Sequence, residues 1–282
     1  MRVIEKISEL KAAVAAQRRA GRTIGLVPTM GYLHEGHLSL VQASRRDNDI
    51  TVISIFVNPA QFGPNEDFEK YPRDPGGDSR KAEEAGTDII FAPSADEIYP
   101  GGYSTYVDIS GITDRMCGKS RPGHFKGVAT VVTKLFNIVQ PDRAYFGQKD
   151  AQQLAVIKKL VRELNMNVEI AACPIVREKD GLAMSSRNVY LNSEERKAAL
   201  VLSKSIFRAE RLIAQGERDS DRVRRTVEGE IRQESLADID YVTVVDADTL
   251  EELRLLKGRV LVAVAAKFGR TRLIDNAVVE VR

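Results

Sequence analysis

V-P-T-M-G-Y-L-H-E-G-H-L-S-L, residues 27–40, is the stretch on which the fold turns. The apolar run Ile24 to Val27 ends at Pro28, two glycines follow at Gly31 and Gly36, and from His37 onward Leu38, Val41 and Ala43 recur at roughly helical spacing. This is a strand, a glycine-containing loop and a helix. Such a junction turns the free N–H groups of the first helical turn toward whatever lies above the sheet, which favours an anion there. Two of the three histidines, His34 and His37, fall in the junction one helical turn apart. Residue types alone leave two readings: imidazoles that donate to phosphate oxygens, or histidines that cap and pack. Zinc is disfavoured, since H-E-x-x-H needs a spacing of four with the glutamate between, and no further ligand cluster is visible.

Outward from this junction the same alternation repeats. Residues 50–57, D-I-T-V-I-S-I-F, are a β-branched run of the kind buried on both faces of a parallel sheet, stopped by Asn58-Pro59. Helix 75–85 precedes strand 88–92, helix 126–139 precedes strand 142–146, and helix 150–164 precedes strand 168–172. An amphipathic helix with Val3, Ile4, Ile7, Leu10 and Val14 on its apolar face opens the chain and stops at Gly21. The pattern predicts an α/β fold with a doubly wound, mostly parallel, Rossmann-like sheet, whose ligands bind beyond the carboxyl ends of the strands. His34 and His37, Asn58 and Gln61, and Lys149 and Asp150 all follow strand ends. After about residue 176 the texture changes to long charged helices, 193–215 and 219–233, and strand-like runs 239–246, 260–268 and 273–281. The expected division is a domain of 1–176 and a smaller α+β domain of 177–282.

The chain has 282 residues, 29% charged and 43% hydrophobic, as in an ordinary globular protein. With 42 basic against 40 acidic residues and no long basic block, a nucleic-acid partner is not expected. The opening helix lacks the apolar core of a signal peptide, and no run of about 18 apolar residues is present to span a membrane. Cys117 and Cys173 are too few for a disulfide framework or a zinc site. The cytoplasm is the expected location.

Four further stretches carry chemistry. Asn58 and Gln61 flank Pro59 beyond a buried strand, either as turn formers or, with Gln153, as a polar pocket for hydroxyl and carboxylate groups. F-G-Q-K-D at 146–150 puts Lys149 at a helix start, where the macrodipole repels a cation, so either an anionic ligand or solvent holds it. M-S-S-R at 184–187 reads as a capping turn or as a phosphate clamp. G-I-T-D-R-M-C-G-K-S at 111–120 imitates a Walker A loop but has six residues between its glycines where four are needed. No G-x-G-x-x-G follows the first strand, which disfavours a dinucleotide oxidoreductase.

P-T-M-G-Y-L-H-E-G-H closely resembles the signature of the pantothenate synthetase family, within the H-x-G-H nucleotidyl-transferase superfamily. S-I-F-V-N-P-A-Q-F-G-P-N-E-D at 54–67, P-G-H-F-K-G-V-A-T-V-V at 122–132, F-G-Q-K-D-A-Q-Q at 146–153 and M-S-S-R-N at 184–188 recur in the family's order and spacing, so the likeness covers essentially the whole chain.

The resemblance implies an enzyme that joins (R)-pantoate to beta-alanine with ATP, through a pantoyl adenylate, as a homodimer. It implies ATP contacts at Met30, Gly31, Tyr32, Leu33, His34, Glu35, Gly36 and His37, with His37 as proton donor. Gly147, Gln148, Lys149 and Asp150 would also bind ATP, as would Val176, Met184, Ser185, Ser186 and Arg187 from a mobile clamp on the smaller, lid-like domain. Gln61 and Gln153 would hold pantoate, Gln61 also beta-alanine, with His124, Val131 and Val132 as the pocket wall. Tyr71-Pro72-Arg73 also matches, but Gly76-Gly77 interrupts the acidic stretch that usually follows and leaves Asp78. The expectation is therefore Mg²⁺ carried mainly on the triphosphate. Two alternatives are weighed beside this: a cytidylyltransferase, and a non-catalytic nucleotide sensor lacking the Asn58, Gln61 and Gln153 set.

Overall fold

The computed structural model describes residues 1–64 and 66–282; Asn65, within the 54–67 block, lies outside the described residues. The chain forms two compact units, one of Met1–Gln148 with Val156–Pro174, the other of Lys149–Ala155 with Ile175–Arg282. Relative to a boundary at 176, the second unit starts two residues earlier and takes Lys149–Ala155 as well.

The first unit runs β1 (Arg2–Ile4), α1 (Ile7–Arg19), β2 (Ile24–Thr29), α2 (Glu35–Asp47), β3 (Ile50–Ile55), α3 (Pro75–Glu84), β4 (Ile89–Phe91), α4 (Ala95–Ile98), α5 (Met116–Ser120), α6 (His124–Val139), β5 (Arg143–Gly147), α7 (Ala151–Glu163, whose start belongs to the second unit) and β6 (Glu169–Cys173). The six strands are parallel throughout, in the order β1-β4-β3-β2-β5-β6. This is the expected doubly wound sheet. Ile24–Val27 and Ile50–Ile53 are buried because helices cover both faces: α2 and α3 pack together on one side, α1 and α6 on the other.

From β2 the chain winds outward through β3 and β4, then returns to lay β5 on the other edge of β2. That reversal opens a crevice at the carboxyl ends of β2 and β5, where doubly wound sheets bind their ligands. The H-x-G-H block follows β2 and the F-G-Q-K-D block closes β5.

The opening helix is shorter than its apolar pattern predicts. Val3 and Ile4 belong to β1, which pairs Arg2, Val3 and Ile4 with Ile89, Ile90 and Phe91, and the helix begins only at Ile7. Burying Ile4 against the sheet edge outweighs the helical periodicity that Val3 and Ile4 share with Ile7.

The second unit carries α8 (Ser193–Ala198), α9 (Leu200–Ala214), α10 (Ser220–Ile231), β7 (Ala237–Asp246), β8 (Gly258–Phe268) and β9 (Thr271–Val281). The expected helix 193–215 is interrupted at Ala199, where α8 ends and α9 begins. The strands form an antiparallel sheet in the order β7-β8-β9. Alternate residues of β8, Val260, Val262, Val264, Ala266 and Phe268, share one core with Leu202, Ile206 and Ile213 of α9 and Val223, Val227 and Ile231 of α10. No described helix is long and apolar enough to cross a membrane.

Candidate active site

His34 is the N-cap residue of α2 and His37 its third helical residue. The backbone N–H of Gly36 donates to His34 Nδ1 at 3.1 Å, and the N–H of His34 donates to His37 Nδ1 at 3.3 Å. The rings stack with centroids 4.0 Å apart. This is a capping box made of two imidazoles in place of the usual hydroxyl and carboxylate. It fixes the tautomer: a neutral ring whose Nδ1 accepts must carry its proton on Nε2. These contacts show the capping reading of the pair: each ring accepts a backbone N–H at Nδ1.

The loop before the helix is held by a residue that sequence reasoning did not place. Gly31 and Tyr32 have φ of +81° and +51°. A Cβ at Gly31 would stand 2.9 Å from Asp78 Oδ2 and 3.0 Å from Ile55 Cγ2, so only glycine fits. Tyr32 does carry a Cβ, and its left-handed conformation costs about 1–2 kcal/mol. Asp78 of α3 offsets that cost: Tyr32 N–H donates to its Oδ2 at 2.8 Å and Leu33 N–H to its Oδ1 at 2.7 Å. Lys81, one turn on, donates to the Leu33 carbonyl at 2.7 Å, and Leu33 is itself buried. The available signal was a carboxylate on the buried face of a predicted helix, in line with Ala82. Both Asp78 oxygens are thus engaged by backbone.

Gln61 brings the second block to the first. Its Nε2 donates to Met30 Sδ at 2.9 Å, while its Oε1 accepts from Asn58 Nδ2 at 3.0 Å. Asn58 caps the 3₁₀ turn Pro59–Gln61 and Gln61 ends it, with the turn pressed against α6; a Cβ at Gly127 would lie 2.1 Å from the Ala60 carbonyl oxygen, so glycine permits the approach. His124, at the start of α6, donates from Nδ1 to the Gln61 carbonyl at 2.8 Å and accepts from Arg121 at Nε2 at 3.2 Å. Arg121 also makes a bidentate pair with Glu66, at 2.7 and 2.6 Å. Burial pulls the Glu66 carboxyl up, but the Arg121 guanidinium outweighs this and holds it below the ordinary glutamate range. Val131 and Val132 are buried further along α6. Tyr71 is buried and packs edge-on to Phe62.

In the second unit, Lys149 is half-buried with its Nζ 4.0 Å from Asp150, and its carbonyl accepts from Asn276 of β9 at 2.8 Å. Gln153 is half-buried on α7. Residues 176–184 form a hairpin: Met184 N–H donates to the Val176 carbonyl at 3.0 Å, Arg177 bridges Ala183, and Gly181 turns the tip at φ +99°. Arg177 is clamped to Asp275 and its guanidinium lies over the Phe207 ring. Ser185 caps the 3₁₀ turn Ser186–Tyr190, accepting from the Arg187 N–H at 3.2 Å, with Ser186 buried. Lys149 and the hairpin carrying Val176 and Met184–Arg187 are thus tied to neighbouring residues of one strand. At Gly147, by contrast, a Cβ would meet nothing within 4 Å. No internal contact demands glycine there, and a ligand could approach the backbone freely.

The Walker A look-alike folds otherwise: 111–120 is a turn running into the short α5, with a Cβ at Gly118 excluded by the Thr113 carbonyl oxygen 1.7 Å away.

Known proteins match this chain over essentially its whole length. The family model described as pantoate-beta-alanine ligase matches residues 2–278. A pantothenate synthetase of Acetivibrio thermocellus is 68% identical over 281 residues, with 100% of each chain covered. One of Caldicellulosiruptor saccharolyticus is 59% identical, also over 100% of each chain. The crystal structure of pantothenate synthetase from Thermus thermophilus superposes with a TM-score of 0.94 at 46% identity, covering 98% of this chain and 99% of that one. Pantoate-beta-alanine ligase from Francisella tularensis, complexed with beta-gamma ATP and beta-alanine, gives a TM-score of 0.81 at 33% identity over 98% and 97% of the two chains. Motif order, sheet topology and whole-length identity converge: the chain is an enzyme of the pantoate-beta-alanine ligase family.

Proposed function

We propose that the chain condenses (R)-pantoate with beta-alanine in two steps on Mg²⁺-bound ATP. The pantoate carboxylate attacks the α-phosphorus, the bond to pyrophosphate breaks, and pantoyl adenylate forms. The beta-alanine amine then attacks the activated carbonyl, and AMP leaves with the bridging oxygen. The observation that carries this reading is the interlocked pair His34 and His37. Two Nε2–H donors fixed at a helix N-terminus suit the charge that builds on phosphoryl oxygens and on departing pyrophosphate. Because the donors are already oriented by backbone, they need no reorganisation as that charge develops.

The remaining roles follow from chemistry. Met30–His37 line the triphosphate, and Gln61 donates to pantoate oxygens within a wall of His124, Val131 and Val132. Of the other candidates, Lys149 supplies a point charge, Asp150 meets the ribose, Gln153 assists pantoate, Val176 meets the adenine, and Met184–Arg187 meet the phosphates. The nucleotide and beta-alanine named in the Francisella tularensis complex support ATP and beta-alanine as ligands here. Mg²⁺ enters with ATP. A homodimer and a cytoplasmic location, where ATP is supplied, belong to the same proposal.

The test is exchange of labelled pyrophosphate into ATP without beta-alanine. Exchange that depends on pantoate supports a free-standing adenylation step; exchange independent of pantoate, or none with either substrate order, contradicts it.

A further inference from the structure

Asn58 has the composition of a substrate contact and the geometry of something else. Its Oδ1 accepts from the Ala60 N–H at 3.3 Å and from the Tyr99 hydroxyl at 2.8 Å. Its Nδ2 donates to the Gly127 carbonyl at 3.1 Å and to Gln61 Oε1 at 3.0 Å. A carboxamide has two N–H donors and two acceptor lone pairs, and all of these are used. The residue is 1% exposed.

The direction of this chain of bonds is not arbitrary. Ala60 N–H can only donate and the Gly127 carbonyl can only accept, so two fixed backbone groups allow one orientation of the Asn58 amide. Tyr99 must then be a donor, and the atom of Gln61 facing Asn58 must be its oxygen. The Gln61 NH₂ is therefore turned the other way, toward Met30, whose thioether is a weak acceptor that a carboxylate or hydroxyl oxygen would outcompete. Tyr99 suits a permanent donor. Burial pushes its phenol far above the ordinary tyrosine range, so the proton stays on, and its ring is steadied by Phe56 and by Lys134 5.4 Å from the ring centroid.

We propose that Tyr99 and Asn58 are positioning residues: they act through Gln61, fixing its carboxamide with the NH₂ outward so that the site accepts an acid oxygen and not a donor group. This rests on the reading of Gln61 as a contact to the acid substrate. Tyr99 follows α4, 41 positions from Asn58, and belongs to none of the sequence blocks.

The experiment is a double-mutant cycle of Tyr99→Phe and Gln61→Ala, with KM for pantoate and for ATP measured beside thermal melting. Tyr99→Phe keeps the ring and removes one hydrogen bond, so the pantoate KM should rise about 5–10-fold while the ATP KM stays within about twofold. In the Gln61→Ala background the same change should add nothing, because its route to substrate is gone. An unchanged pantoate KM in Tyr99→Phe, or an effect that persists in full without Gln61, overturns the proposal. Should Gln61→Ala alone leave the pantoate KM unchanged, the reading of Gln61 fails first, and the two failures are told apart.

Discussion

Arg177 and Asp275, 98 positions apart, meet through two parallel hydrogen bonds of 2.7 and 2.9 Å. The carboxylate is almost wholly buried, and the guanidinium also donates to the Gly181 carbonyl at 3.1 Å, so one ion pair ties the hairpin carrying M-S-S-R to β9. The next residue of β9, Asn276, holds the carbonyl of Lys149. Removing the carboxylate strands a half-buried cation, and Asp275→Ala should cost about 3 kcal/mol in urea unfolding. The ATP KM should rise with it. A variant as stable as the parent would show that the pair does not hold the hairpin.

The histidine pair predicts a separation of roles. Asparagine places a polar atom near the Nδ1 position and glutamine near Nε2. His37→Asn should keep most of the cap, worth about 1 kcal/mol, yet slow adenylation by about 10²–10³-fold. His37→Gln should retain more activity and less stability. Equal losses of both properties in the two variants would contradict the tautomer assignment.

Asp78 predicts an effect on ATP without any contact to it. Asp78→Asn leaves one acceptor for the two N–H groups of Tyr32 and Leu33, so the left-handed turn at Gly31-Tyr32 relaxes. We expect kcat/KM for ATP to fall about 10–100-fold, since small misplacements of a catalytic loop are costly. A fall confined to the pantoate KM would place the effect elsewhere.

The pair of Glu66 with Arg121 predicts a pH dependence. Its folded-state pKa lies below the unfolded value of about 4.3, so its stabilisation is complete above that pH and fades as pH falls through the folded value. The stability gap between the parent and Glu66→Gln, about 1–2 kcal/mol at neutral pH, should narrow below about pH 4. A gap that widens with acid would reverse the sign.

The fold was legible because its signals are local. Strand 24–28 and helix 36–47 announce themselves by period, and five of the six parallel strands follow from the alternation of short strand-like runs with helices. Strand β1 was hidden because three residues carry no period of their own and its partner lies at Ile89–Phe91. The candidate site residues stand out as motifs in the sequence, but what holds them in place does not. Asp78, Tyr99 and Asp275 act on residues 45, 41 and 98 positions away, and no spacing rule reaches that far. Nor does residue type reveal that Asn58 spends every hydrogen bond on the protein itself.

The central claim is that the pantoate carboxylate, and no group on the protein, attacks the α-phosphorus. Turnover with ¹⁸O in both carboxylate oxygens, ATP, Mg²⁺ and beta-alanine tests it most directly. The account predicts one labelled oxygen in AMP and the other in the amide carbonyl; unlabelled AMP, or ADP as the nucleotide product, would contradict it.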